Sequence, residues 1–203
     1  SHEKGIPVVV DEAHGVHIHF HDSLPISAMQ AGADMAATSV HKLGGSMTQS
    51  SILNVRKGLV STKRVQSILS MLTTTSTSYP LLASLDTARR QLAIHGEDLI
   101  GDAIRLAKDT RNRITAMPHI RCVGDEILQT SATFDFDPTK LLISVKDLGM
   151  TGYDAEIWLR EKANIEVELS DLYNILCLIT LGDTKKEVNL LVNALSRMVA
   201  AHE

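Results

Sequence analysis

Aromatic side chains are scarce, 3% of 203 residues, and only two cysteines occur, Cys122 and Cys177, with no C-x-x-C spacing. That excludes a disulfide framework and makes a reducing compartment, the cytoplasm, the expected location. No charge of one sign dominates: 20 Lys and Arg stand against 24 Asp and Glu, a formal charge of −4. Without a basic field, no nucleic-acid partner is expected. Long apolar runs are missing too. Ile6–Val10 and the stretch around Leu190–Val192 fall far short of the roughly 20 residues a spanning helix needs, so no membrane partner is expected either. What is present, 44% hydrophobic and 22% charged residues, suffices for one or two domains with a buried core. The opening Ser1-His2-Glu3-Lys4 has no Met and no signal pattern, so the chain is expected to be a piece of a longer one.

Along the chain, the β-branched run Ile6-Pro7-Val8-Val9-Val10 predicts a central parallel strand buried on both faces, with Asp11-Glu12-Ala13-His14-Gly15 at its end. Ser27–Gln30 can open a short helix that Gly32 closes. Strands follow at Asp34–Val40 and Ser51–Val55 around the turn Lys42–Ser46. Val65, Ile68, Leu69 and Leu72 mark one face of an amphipathic helix over residues 61–72. A long helix over residues 79–117, bent at Gly96 and Gly101 and stopped by Pro118, links two domains. Beyond it, strands at His119–Val123, Leu141–Val145, Ile165–Leu169 and Asn174–Leu181, with helices at Tyr153–Lys162 and Thr184–Ala201, read as a small α+β domain. Thr184 with Glu187 three residues on has capping-box spacing.

Three constellations could carry chemistry. His17, His19 and His21, preceded by His14, alternate at period 2; on a strand this puts three imidazoles on one face, as a metal-dependent hydrolase or metal-binding protein would need. Asp22 is the only acidic neighbour after the cluster, and satisfied loop or interface histidines are the competing reading. Asp11-Glu12-Ala13-His14 also spells the acidic box of a helicase family, but the chain has no G-x-x-x-x-G-K-[ST] loop. Last, Asp11 ends one strand and Ser39-Val40-His41-Lys42 ends the next, on the side where open α/β sheets bind ligands. Asp11 and Lys42 could form a plain ion pair, or the lysine could form a Schiff base with pyridoxal phosphate while the carboxylate partners the pyridinium nitrogen.

The segments Asp11–Gly15, Asp34–Lys42, Gly44–Ser51, Thr75–Tyr79 and, towards the end, Asp147–Gly149 and Ile165–Asp171 together resemble the Orn/Lys/Arg decarboxylases of the aspartate-aminotransferase fold, in particular their Bacillus-type biosynthetic arginine decarboxylase branch. The resemblance runs over nearly the whole chain. It implies an α/β fold: part of the pyridoxal-phosphate-dependent transferase (fold type I) large domain, with a mainly parallel sheet, over residues 1–118, then the start of a small α+β domain over residues 119–203. It implies pyridoxal 5′-phosphate as cofactor, no metal, and decarboxylation of a basic amino acid in polyamine biosynthesis, arginine to agmatine first, lysine or ornithine next. Lys42 would hold the cofactor, Asp11 would keep the pyridine nitrogen protonated, and Ala13 would lie against the ring. Ser39 and His41 would bind the phosphate, with His14 also among the cofactor contacts. Thr75 and Ser76 would reach a neighbouring subunit's site in a homodimer or higher oligomer. A phosphate loop and a ring-stacking residue upstream, and the rest of the small domain, lie outside these residues, so the fragment alone is expected to be inactive.

Overall fold

A computed structural model describes residues 1–202. The chain forms two compact units, Ser1–Asp98 and Leu99–Glu203. Among the described residues, no helix is long and apolar enough to cross a membrane.

The first unit is built on a three-stranded sheet: β1 (Val9–Asp11), β2 (Met35–Ser39) and β3 (Ser51–Val55), in the order β1-β2-β3. β1 runs parallel to β2 with Asp11 opposite Ala37, and β3 runs antiparallel to β2 with Ser51 opposite Ser39. β2 is made of small residues because the chain packs close on it: Ala36 is fully buried and Thr38 nearly so. The buried Asp34 carboxylate pins the entry to the sheet, accepting the Val8 N–H at 2.8 Å and a hydrogen bond from His2 Nε2 at 2.7 Å. These bonds hold its acid form well below the usual carboxylate range, the Val8 amide contributing most and His2 next.

The expected burial of the first strand on both faces is not found. Within this chain β1 is the edge strand of the sheet, and Ile6 and Val9 stand 54% and 65% exposed where none of the described residues covers them. Residues 28–32 form a turn, closed by Ala33 N–H on Ala28 O, in place of the short helix. After β2 comes the single turn α1 (Val40–Leu43), and after β3 the helix α2 (Thr62–Leu72), capped by Ser61 on the Arg64 N–H. α2 has the predicted apolar spacing, yet none of its residues is buried.

The long helix α3 spans Tyr79–Thr115 without a break, its first half belonging to the first unit and its second half to the second. Gly96 serves close approach: a Cβ there would meet Phe20 Cβ at 2.9 Å.

In the second unit a four-stranded antiparallel sheet runs β4-β5-β7-β6, from β4 (Arg121–Cys122), β5 (Lys140–Ser144), β6 (Leu169–Ser170) and β7 (Asn174–Leu178). β5 and β7 alternate buried and half-buried residues, so the core lies on one face, where Leu141, Ile143 and Ile175 meet α4 (Gly152–Ala163) and α5 (Lys185–Ala200). The buried set Val188, Leu191, Val192, Leu195, Met198, Val199 on α5 has the i, i+3, i+4 spacing of one helix face. Both halves of the predicted Thr184–Glu187 capping box form. The strands expected at Ile165–Leu169 and Asn174–Leu181 are shorter, and pairing at the first begins only at Leu169. Cys122 and Cys177 lie on strands separated by β5, too far apart to bridge, and burial pushes their thiols up to about 11 and about 12.

Candidate active site

Parallel pairing brings the ends of β1 and β2 side by side, and the hydrogen-bond ladder continues past both strands. The Glu12 N–H donates to Ala37 O at 2.9 Å, and the Ser39 N–H donates to Ala13 O at 3.2 Å. The loop after β1 is thereby stitched to the start of α1. Val40 and Leu43 bury that single turn, at 3% and 8% exposure, which leaves His41 half-buried and Lys42 exposed. Across 28 residues of sequence, Lys42 Nζ comes to 3.1 Å from His14 Nε2.

Each group has a defined setting. Asp11 Oδ1 accepts the Ala13 N–H at 3.0 Å, an Asx turn that fixes the exposed carboxylate at the strand end and leaves Oδ2 open to a ligand. His41 Nδ1 lies 2.9 Å from the Ser50 carbonyl oxygen; a carbonyl only accepts, so the ring proton sits on Nδ1 and Nε2 can donate to an anion only as the imidazolium. Buried Ser46 and Ser50 share a 2.6 Å hydroxyl bond that holds that carbonyl in place. The Ser39 hydroxyl makes no capping bond to α1 and stays half-exposed.

Glu12 turns the other way. Its Oε1 accepts the Ala28 N–H at 2.6 Å, and its Oε2 has no hydrogen-bond partner, with His19 Nε2 at 3.9 Å. Gly15 makes this possible, since a Cβ there would sit 2.3 Å from Glu12 Cγ. Of the two adjacent acids, only Asp11 is exposed at the strand end.

Asp11, Ala13, His14, Ser39, His41 and Lys42 thus converge at neighbouring strand ends. Thr75 and Ser76 do not: they lie in the exposed connection between α2 and α3, where the Ser76 N–H bonds Thr74 Oγ1. The metal reading fails on geometry. Residues 16–20 form a 3₁₀ turn instead of a strand, so His17 is buried while His19 is exposed beside Glu12, and no group of three candidate metal ligands exists among the described residues. Sequence reasoning missed Ser46 and Ser50; their i, i+4 spacing after Lys42 was the available signal.

The sequence pattern of the Orn/Lys/Arg decarboxylase major domain matches residues 1–187, nearly the whole chain. The chain belongs to the Orn/Lys/Arg decarboxylase family. It is 70% identical over 202 residues to an arginine decarboxylase of Halalkalibacterium halodurans, covering all of this chain and 41% of that protein. With the arginine decarboxylase of Bacillus subtilis the identity is 66% over 198 residues, covering 98% of this chain and 40% of the relative. The chain therefore spans about two fifths of the length of the decarboxylases it matches. Among solved structures, the lysine decarboxylase of Francisella novicida superposes with a TM-score of 0.77 at 24% identity, over 94% of this chain and 32% of that one. The family's fold is the α/β class expected from the sequence.

Proposed function

We propose that this chain supplies the lysine-bearing part of a pyridoxal-5′-phosphate-dependent decarboxylase acting on a basic amino acid, arginine before lysine or ornithine, in polyamine synthesis in the cytoplasm. The observation that carries this is the convergence of the open Asp11 carboxylate and the exposed Lys42 amine at adjacent strand ends. Arginine is favoured by the names of relatives at 66–70% identity.

The residues fit the cofactor. Lys42 offers a primary amine for its aldehyde carbon, Asp11 Oδ2 an acceptor for a ring N–H, and Ala13 a small side chain beside a flat ring. The uncommitted Ser39 hydroxyl and the His41 ring would hold the phosphate. When bound, pyridoxal phosphate supplies a cationic ring that takes up the electron pair left on the α-carbon as CO₂ departs. Asp11 acts by keeping that ring nitrogen protonated, its carboxylate held at the strand end by the Ala13 N–H. Thr75 and Ser76, exposed between α2 and α3, extend to the site of a second subunit. Further phosphate and ring contacts come from parts of the intact enzyme outside this chain.

The test uses the intact protein. Borohydride reduction with pyridoxal phosphate should fix the label on Lys42 in peptide mapping, Lys42→Ala should carry none, and CO₂ should be released from arginine faster than from lysine or ornithine. A label on another lysine, or turnover by Lys42→Ala at the wild-type rate, would overturn the assignment.

A further inference from the structure

Lysine is a long, flexible donor with no acceptor, and an exposed one is ordinarily held by water or a carboxylate. Lys42 is held by an imidazole. Its Nζ lies 3.1 Å from His14 Nε2, and because an ammonium can only donate, Nε2 must be the acceptor, with the ring proton on Nδ1. His14 is well placed to act as a fixed post. The turn before it is closed by Asp11 Oδ1 on the Ala13 N–H, Gly15 behind it is buried, and the Ala13 carbonyl is tied to Ser39 at the start of α1.

We infer that His14 is a positioning residue for Lys42, holding the lysine nitrogen at the strand ends whenever it is not bonded to a carbonyl carbon. The inference rests on the proposed role of Lys42 as the cofactor's attachment point. His14 reduces the swing of the four-carbon stem and keeps the amine beside Asp11's strand, ready for capture and for recapture after each turnover.

The experiment takes the cofactor-free intact enzyme at one fixed pH and measures acetylation of Lys42 by acetic anhydride, by mass spectrometry, against exposed Lys57 as internal reference. A hydrogen bond to the ammonium slows labelling; allowing for solvent screening, His14→Ala should accelerate Lys42 labelling about three- to tenfold. His14→Gln, whose amide oxygen also accepts, should restore most of the protection. In the holoenzyme, the return of the visible cofactor band after a single turnover should slow by a similar factor in His14→Ala and recover in His14→Gln. Equal labelling in wild type and His14→Ala, an unchanged return of the band, or a Gln variant that behaves like Ala would overturn the inference. Absence of any borohydride-fixed label on Lys42 would instead remove the functional reading, and the acetylation ratio would still report on the His14 contact alone.

Discussion

Replacing Gly15 by Ala should damage the site through Glu12, a residue that touches no ligand. The added Cβ would lie 2.3 Å from Glu12 Cγ and 3.1 Å from Cδ, where ordinary contacts begin at 3.4 Å, so Glu12 must retreat by more than 1 Å (3.4 − 2.3 = 1.1 Å). Its carboxylate cannot retreat and still hold the Ala28 N–H at 2.6 Å. Overpacking of this kind costs about 1–3 kcal/mol, and a hydrogen bond to a charged, largely buried group contributes about 1.5–3 kcal/mol. Because breaking the bond relieves the clash, the two overlap, and a net loss of about 2–4 kcal/mol is expected. Backbone strain adds nothing, since the Gly15 φ of −105° suits any residue. On a Glu12→Ala background the side-chain clash is gone and only a 3.2 Å approach to the residue-12 carbonyl oxygen remains, so Gly15→Ala should be close to neutral. The double-mutant cycle, measured by urea unfolding with far-UV circular dichroism, should therefore show a coupling of about 2 kcal/mol or more. A coupling below about 0.5 kcal/mol would mean that Gly15 is a simple turn residue whose hydrogen leaves no needed room for Glu12.

Asp11→Asn should leave the cofactor attached to Lys42 in the intact enzyme but lower turnover about 10²- to 10⁴-fold, read as CO₂ release; a near-normal rate would make the carboxylate merely structural. Asp34 has its acid form held below the usual carboxylate range, so it stabilises the fold above that range and the contribution disappears as pH falls through the depressed folded value. The stability gap between wild type and Asp34→Asn, measured by urea midpoints, should accordingly be widest near neutrality and close in strong acid. Cys122 and Cys177, their thiols raised to about 11 and about 12 by burial, should give no colour with a thiol reagent in the folded chain and two equivalents after denaturation.

The features legible in the sequence are those decided locally. The Thr184–Glu187 cap is written in a spacing of three residues, and the structure realises it. The neighbouring ends of the strands that carry Asp11 and Ser39 were also legible, because two strands joined by a short crossover leave little choice of register. Burial was not. Ile6–Val10 has the composition of a central strand, but exposure depends on neighbours a single segment does not encode. The histidine alternation misled for a related reason: period 2 specifies one face only if the backbone is extended, and after the turn at Gly15 it winds into a 3₁₀ turn. His41's partner was invisible because it is a main-chain carbonyl, which every residue possesses.

The ladder between β1 and β2 does not stop where the strands do, and this bears on how the site behaves in motion. Ala13 and Ser39 remain bonded, so the loop that carries His14 and the turn that carries Lys42 are two ends of one stitched seam. Thermal displacement of the exposed edge then moves both in the same direction at once. In an engineer's terms it is common-mode noise: a displacement of this edge carries both backbone segments together and changes little the spacing between them.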